Sequence, residues 1–171
     1  MKTLISSFFN SQFSYCPLIW MCCSRSSNRK INKLQERSLR LLYKDDYSKF
    51  EELLEKDKST TIHIRNVQLL AVEMYKLKNN LSLEFISCLF PLNESNYNLR
   101  NMRDFKGSNP NTVSWGTQSL SYLGPAIWDL VPEDTKTLPT LKSFKKSIKL
   151  WKPQNCPCRI CKTYIGGLGF L

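Results

Sequence analysis

Three cysteines near the C-terminus are the residues whose type and spacing best match a known chemistry. Cys156, Cys158 and Cys161 form the pattern CxCxxC, and cysteine thiolates are ligands for zinc. A structural zinc site takes four ligands in a tetrahedron, and this segment supplies three. His63 is the one histidine of the chain, it is distant in sequence, and we expect it to be a packed or surface residue of a helix. The sequence therefore indicates an incomplete metal site. Zinc is the one cofactor it could hold, and the alternative is a set of reactive or buried thiols.

A pair of neighbouring carboxylates, Asp45 and Asp46, stands in the segment Tyr43-Lys44-Asp45-Asp46. This segment spells the YxDD pattern of reverse transcriptases, in which paired carboxylates on a turn between apolar strands bind two Mg²⁺ ions for phosphoryl transfer. The residues before it have helical periodicity, and Ser48-Lys49-Phe50-Glu51 is a capping-box signature that begins another helix. We therefore expect Asp45 and Asp46 to lie in a connection between helices, and no residue is assigned a catalytic role.

The clearest helical pattern covers residues 27–44, with Ser26 or Ser27 as the candidate N-cap. At about 100° per residue, one stripe of this helix is cationic. It carries Arg29, Lys33, Arg37, Arg40 and Lys44, with Glu36 at its edge. The other side is expected to face the core with Ile31, Leu34, Leu41 and Leu42. Such a stripe can contact successive phosphates of a nucleic acid without reading its sequence, and the alternative is a solvated helix face.

A second cationic helix is predicted near the C-terminus, where no acidic residue follows Thr135. Its apolar face carries Leu141, Phe144, Ile148 and Trp151. Its other side carries Lys142, Lys145, Lys146 and Lys149, which complete the predicted nucleic-acid-binding residues. We expect Trp128 to be a buried anchor under Leu141, Phe144 and Ile148, because Gly124-Pro125 should break the chain and leave one helical turn over residues 126–130.

The whole pattern predicts a mainly α fold with little strand. Further helices are expected over residues 62–81 and 82–90, and strand character is limited to residues 112–115. We predict a helical bundle over residues 1–91 and a linker or loop over 92–111. A small irregular module over 112–152, packed around Trp115, Trp128, Phe144 and Trp151, should contain the basic helix. A cysteine-containing tail over 153–171 should follow.

Several short motifs occur in a fixed order along the chain: YCPLIW at residues 15–20, KLQERSLRLL at 33–42, YLGPAIWDLVP at 122–132, TLKSFKKSIKLW at 140–151, and the cysteine end. This order closely resembles the C-terminal end of the reverse transcriptases of non-LTR, LINE- or jockey-like retrotransposons, over nearly the whole chain. The resemblance implies a thumb-like helical bundle that lies along the primer–template duplex. It also implies a non-catalytic fragment of an RNA-directed DNA polymerase, not an enzyme by itself, whose partners are nucleic acid and the missing palm and fingers.

The composition agrees with a polyanionic partner, since the net charge is +11 and the pI is near 9.4. The alternative is an interaction domain whose basic face meets a protein or a membrane surface. The odd number of cysteines argues against a secreted disulfide framework. Cys16, Cys22, Cys23 and Cys88 are expected to be reduced core residues, which favours the cytoplasm or nucleus. The uncharged residues 3–24 are interrupted by polar side chains, so we expect no membrane span there.

Overall fold

The computed structural model describes residues 6–93, 103–110, 112, 116–158 and 160–161, and these are mainly α-helical, as predicted. The helices are α1 (Ser11–Ser14), α2 (Arg25–Tyr43), α3 (Phe50–Asp57), α4 (Ile62–Lys78), α5 (Glu84–Ser87), α6 (Leu120–Trp128), α7 (Glu133–Lys136) and α8 (Leu141–Ile148). A π-helical turn at Ser6–Asn10 and two 3₁₀ turns, at Ile19–Cys22 and Gly116–Gln118, complete the helical elements. Strand pairing within the described ranges is limited to one antiparallel bridge between Leu92 and Phe105.

The chain divides into two compact units, Met1–Asn66 and Val67–Leu171, and the division falls inside α4. This helix extends from Ile62 to Lys78. The boundary expected near residue 91 stays a prediction, and that residue lies within the second unit. Inside this unit, Tyr75 of α4 stacks on Phe144 of α8, with ring centroids 4.3 Å apart.

The first unit is organised around α2. Its N-cap is Ser24, whose Oγ accepts a hydrogen bond from the backbone N–H of Ser27 at 3.2 Å, so the predicted caps Ser26 and Ser27 are wrong by two and three residues. A hydrophobic cluster joins Phe13, Ile31 and Ile62. This cluster holds α1, α2 and the first residue of α4 together within the unit.

The buried face of α2 differs from the predicted one. Ile31, Gln35 and Leu39 are buried, whereas Leu34 is 49% exposed and Leu41 is 70% exposed. Gln35 can be buried because both ends of its amide are used: Nε2 donates to the carbonyl of Thr60 at 3.0 Å, and Oε1 accepts from the N–H of Ile62 at 3.3 Å. A polar side chain therefore sets the rotation of the helix, which hydrophobic periodicity does not foresee.

In the second unit, α6 runs through Gly124-Pro125, so the predicted chain break at this dipeptide is wrong. A Cβ atom on residue 124 would lie 2.8 Å from Sδ of Met74 and 2.9 Å from Cε1 of Phe90. Glycine is present here because α4 and the end of the α5 segment approach the helix closely. The packing gained compensates for the backbone hydrogen bond that Pro125 cannot make.

Trp128 is the buried anchor of the second unit, as predicted, with 0% exposure. Its ring lies 6.0 Å from that of Phe144 and edge-on to Phe105 at 6.2 Å. Its Nε1–H donates to Oδ2 of Asp104 at 2.6 Å, and Lys78 Nζ donates to the same oxygen at 2.8 Å. The indole therefore combines apolar packing with a charge-assisted hydrogen bond.

The start of α3 differs slightly from its prediction. The predicted capping box is shifted by one residue, because Lys49 is the N-cap of α3 and its N–H donates to Glu52 at 3.2 Å. Trp115 and most of the predicted strand at 112–115 lie outside the described residues, as do 94–102 of the predicted linker. None of the helices in the described ranges has the combination of length and apolar character needed to cross a bilayer.

Two of the predicted core cysteines are exposed, Cys16 and Cys88. Cys16 lies in the turn after α1 and Cys88 ends α5, so neither is on the buried side of a helix. Cys23 is half-buried. The cysteines that the structure describes are free thiols, and the reduced state of the protein stays a prediction.

Candidate metal centre

The first turn of α4 and the cysteine segment bring four metal-ligating side chains together. Sγ of Cys156, Cys158 and Cys161 and one imidazole nitrogen of His63 all lie within 4.8 Å of one another. The first two cysteines and the histidine are buried, and Cys161 is half-buried. A cluster of three thiols and one imidazole in this arrangement can hold a metal ion.

The spacing of the four atoms is close to that of a tetrahedral site. With metal–sulfur distances of about 2.3 Å, ligand atoms at the corners of a tetrahedron lie about 3.7 Å apart. The atoms of this cluster would therefore have to move together by at most about 1 Å, which is within the reach of side-chain rotation. All four positions of such a site would be filled by the protein.

His63 is the functional residue that sequence reasoning missed. The sequence indicates a three-ligand, incomplete set, and the cluster contains His63 in addition to those three cysteines. No local spacing links them. The number of ligands could have indicated this residue. A four-ligand site built on three cysteines needs one more ligand, and the sequence contains one histidine.

The local backbone conformation positions the cysteine side chains. Asn155 has a left-handed backbone with φ of 58°, a conformation that asparagine tolerates well, and it turns the chain directly before Cys156. The N–H of Cys161 donates to the carbonyl of Cys158 at 3.2 Å, which closes the turn between these two ligands. Upstream, Gln68 of α4 donates through Nε2 to the carbonyls of Trp151 at 2.7 Å and Lys149 at 3.3 Å.

The electrostatics of the cluster favour neutral thiols unless a cation is bound. Hydrogen bonding with Cys158, together with burial, raises the pKa of Cys156 to about 11. Hydrogen bonds with Cys156 and Cys158 raise the pKa of Cys161 as well. Three adjacent thiolates would repel one another. A coordinated metal cation reverses this preference, because its charge stabilises the deprotonated thiol ligand.

Four of the five cations predicted for the cationic stripe are exposed: Arg29, Lys33, Arg37 and Lys44, the last of which follows α2 as its left-handed C-cap. Arg40 departs from the prediction, because its side chain is half-buried and binds groups of α2 and of the turn that follows it. Its Nη2 pairs with Oε1 of Glu36 at 2.7 Å, and its Nη1 donates to the carbonyl of Asp45 at 3.3 Å. Arg40 therefore stabilises the end of α2, and the exposed stripe has one cation fewer than the sequence predicts.

The cationic face of α8 matches its prediction. Its four lysines, Lys142, Lys145, Lys146 and Lys149, are all exposed, and the opposite face buries Phe144 and Ile148. Leu141 is half-buried. The N-cap is Thr140, whose Oγ1 accepts from the N–H of Ser143 at 3.2 Å. An eight-residue helix thus presents its charges to solvent because its apolar positions are fixed in the core.

Asp45 and Asp46 lie in the connection between α2 and α3, as predicted. The carboxylate of Asp45 is bound by Lys56 Nζ, by Ser48 Oγ at 2.7 Å and by the N–H of Ser48 at 3.0 Å. The hydrogen bond from Lys56, followed by those from Ser48, holds the pKa of Asp45 well below its usual range. This carboxylate is used to shape the turn, and Asp46 is exposed beside it.

The candidate site is thus defined by four ligand atoms in one cluster and, separately, by the cationic faces of α2 and α8. No protein-family model matches the chain, and no curated protein or solved structure matches it.

Proposed function

We propose that this chain is a non-catalytic fragment from the C-terminal region of a non-LTR retrotransposon reverse transcriptase, and that it binds nucleic-acid backbone without sequence preference. The observation that carries the proposal is the exposure of cations on two helices whose opposite faces are buried. These cations are Arg29, Lys33 and Arg37 on α2 with Lys44 at its C-cap, and Lys142, Lys145 and Lys146 on α8 with Lys149 at its C-cap. Cations on a helix that is fixed by its core face can be held against phosphates without ordering a flexible loop first.

The test is the salt dependence of binding to duplex and single-stranded oligonucleotides. Each phosphate contact contributes about 0.9 units to the slope of log K against log salt for duplex DNA. The double variant Lys33→Glu with Arg37→Glu should therefore bind more weakly. Its slope should decrease by the amount that corresponds to about two phosphate contacts. Lys49→Glu with Lys58→Glu is the matched control, because it makes the same change in net charge at exposed lysines away from the stripe. Equal losses in the two variants would mean that only net charge matters.

The same proposal holds that the chain has no polymerase activity. This is supported by the contacts of the Asp45 carboxylate, which forms an ion pair with Lys56 and accepts hydrogen bonds from Ser48. These contacts stabilise a turn and occupy the oxygens that two metal ions would need. Primer extension with Mg²⁺ or Mn²⁺ should give no template-directed product. Product that disappears in Asp45→Asn with Asp46→Asn would contradict the proposal.

We further propose that the ion held by His63 and the three cysteines is Zn²⁺. Thiolate and imidazole ligands suit zinc, whereas Mg²⁺ and Ca²⁺ prefer oxygen ligands. Four protein ligands leave no open coordination position, which is the mark of a structural and not a catalytic zinc site. Purified protein should contain about one zinc per chain. Substitution with Co²⁺ should give the visible absorption of tetrahedral thiolate coordination, and a chain that binds neither ion would contradict the assignment.

A second candidate function is favoured by the two exposed leucines of α2, Leu34 and Leu41, which lie beside the cationic stripe. Apolar side chains next to cations also suit a protein partner, such as the polymerase palm and fingers, or an anionic membrane surface. Leu34→Ser with Leu41→Ser separates these alternatives. Nucleic-acid affinity should be unchanged in this variant if the phosphate contacts dominate. A large loss of vesicle or protein binding in this variant would favour the second function.

A further inference from the structure

The segment between α4 and the Leu92–Phe105 bridge is rich in exposed apolar side chains. Single apolar residues are common on protein surfaces, but here five large ones occur within twelve positions. Two of them, Phe85 and Leu89, stand four residues apart around α5 and so share one face of this turn. The five side chains form what we call the α5 patch: Leu81 (57% exposed), Leu83 (65%), Phe85 (68%), Leu89 (62%) and Leu92 (38%).

The backbone under the α5 patch is fixed at both ends within the second unit. At its start, the N–H of Leu81 donates to the carbonyl of Lys76 in α4 at 2.8 Å. At its end, the N–H of Lys106 donates to the carbonyl of Pro91 at 2.9 Å, and Phe90 is buried. The apolar side chains are therefore exposed on an anchored backbone, so a partner could bind them without first ordering a loop.

The exposed apolar area of the α5 patch is large enough for a protein contact. The five side chains together expose roughly 450–550 Å², at about 150–200 Å² for each large side chain. A patch of this size is near the upper end of what monomeric proteins leave exposed, and such patches are often functional. Two facing copies would bury about 1,000 Å², which is close to the lower limit for a specific interface. The area therefore suits a weak, reversible dimer.

The charges of this segment favour a second copy of the chain over a polyanion. Residues 79–92 contain one charged residue, Glu84, although the net charge of the whole chain is +11. Nucleic acids and anionic membranes bind to cations, and this segment offers none. Two copies of a chain with this net charge repel one another, so they can best meet on a surface that lacks cations. The exposed carboxylate of Glu84 also attracts a cationic partner rather than an anionic one.

We propose that the α5 patch is the contact surface of a homodimer, in which two copies pack their α5 segments together about a two-fold axis. In such a contact the same residues meet from both copies, so each side chain of the patch is buried twice. Phe85 and Leu89, in the middle of the segment, would form the apolar centre, with Glu84 beside them. The dimer does not depend on the proposed binding of nucleic acid. If that binding holds, the dimer carries two cationic faces of α8, and a long nucleic acid can contact both.

The experiment is sedimentation equilibrium of the full chain, with a thiol reductant and without nucleic acid. The parent should change from monomer to dimer between about 1 and 300 µM, because interfaces of this size bind weakly. Leu89→Ser should raise the dissociation constant at least about ten-fold, since it removes an apolar contact from both copies. Leu150→Ser is the matched control, because Leu150 is 84% exposed outside the α5 patch, and it should leave the dissociation constant unchanged. Both variants should melt at the temperature of the parent, since both replace exposed side chains.

Cys88 provides an independent measurement at the patch itself. Its thiol is exposed, and it stands between Phe85 and Leu89 in the sequence. The rate at which a maleimide alkylates Cys88 should fall in proportion to the fraction of monomer as the protein concentration rises. Cys16, which is also exposed and lies outside the patch, should react at the same rate at every concentration.

Four results would overturn the proposal. The first is a chain that stays monomeric over the whole concentration range. The second is a dimer that Leu89→Ser leaves as tight as the parent. The third is a monomer in which Cys88 is protected at every concentration, because the patch would then be covered by a segment of the same chain. The fourth is protection of Cys88 only by anionic vesicles, which would assign the patch to a membrane surface.

Discussion

Replacement of Trp128 by phenylalanine tests the centre of the second unit. The indole is fully buried, and its Nε1–H donates to Oδ2 of Asp104 at 2.6 Å. Phenylalanine keeps most of the contact with Phe144 and Phe105 but removes this donor and leaves a small cavity. Lys78 would remain as a partner of the carboxylate at 2.8 Å. The substitution therefore separates the polar contribution of the indole from its apolar one.

The expected loss has two parts. The missing hydrogen bond to a partly buried carboxylate contributes about 1.5 kcal/mol, and the lost ring volume adds about 1 kcal/mol. The sum of about 2–3 kcal/mol corresponds to a fall in melting temperature of about 8–12 °C for a unit of this size. Trp128→Ala should cost about 3–5 kcal/mol, which is a large part of the roughly 5–15 kcal/mol that stabilises a typical domain.

The assay is urea unfolding followed by circular dichroism, with the slope against denaturant unchanged between variants. Trp151→Phe is the matched control, because Trp151 is half-buried and should lose much less. A double-mutant cycle with Asp104→Asn should give a coupling of about 1–2 kcal/mol between positions 104 and 128. Strict additivity of the two substitutions, or equal losses in Trp128→Phe and Trp151→Phe, would refute the role given to this hydrogen bond.

Three further substitutions have defined outcomes. Gly124→Ala should destabilise the chain by about 1–3 kcal/mol, because its Cβ would lie 2.8 Å from Sδ of Met74, and an unchanged urea midpoint would show that the core has room. Asn66→Leu should raise the free energy of unfolding by about 1 kcal/mol, because Asn66 is 1% exposed and its amide atoms have no hydrogen-bond partner among the described residues. A lower urea midpoint in this variant would indicate that water bridges the amide. Burial opposes ionisation of Asp104, but the hydrogen bonds from Lys78 and Trp128 outweigh it and lower the pKa. The ionised carboxylate therefore contributes its full stabilisation of the folded state above the ordinary carboxyl pKa of about 4, and this stabilisation is lost as the pH falls below that value. The free energy of unfolding of Asp104→Asn should therefore change less over that pH range than that of the parent.

The sequence alone determined those features that depend on neighbouring residues. The helices α2, α4 and α8 follow from apolar positions three and four residues apart, because each helix must bury one face. The outward lysines of α8 follow from the same pattern, since its apolar positions fix its rotation. The helix–helix connection at Asp45 and Asp46 was also predictable, because helical periodicity ends before it and a capping signal follows it.

The tertiary structure decided the features that depend on distant partners. Leu34 and Leu41 are exposed because α2 turns Gln35 inward, where its amide bonds the backbone of Thr60, before α4, and of Ile62, the first residue of α4. α6 continues through Gly124 because the absent side chain lets Met74 and Phe90 approach. Neither outcome is visible in a local pattern, since each is set by a contact between residues well separated in sequence.

The metal ligands show the division most clearly. The cysteine spacing is local, so the sequence by itself identified Cys156, Cys158 and Cys161 as ligands of an incomplete site. His63 stands 93 positions before the first cysteine, so no local spacing could add it to the cluster. The type of a side chain sets the chemistry that it can perform, whereas only the tertiary structure decides which distant side chains become neighbours, because helix packing depends on contacts between whole elements.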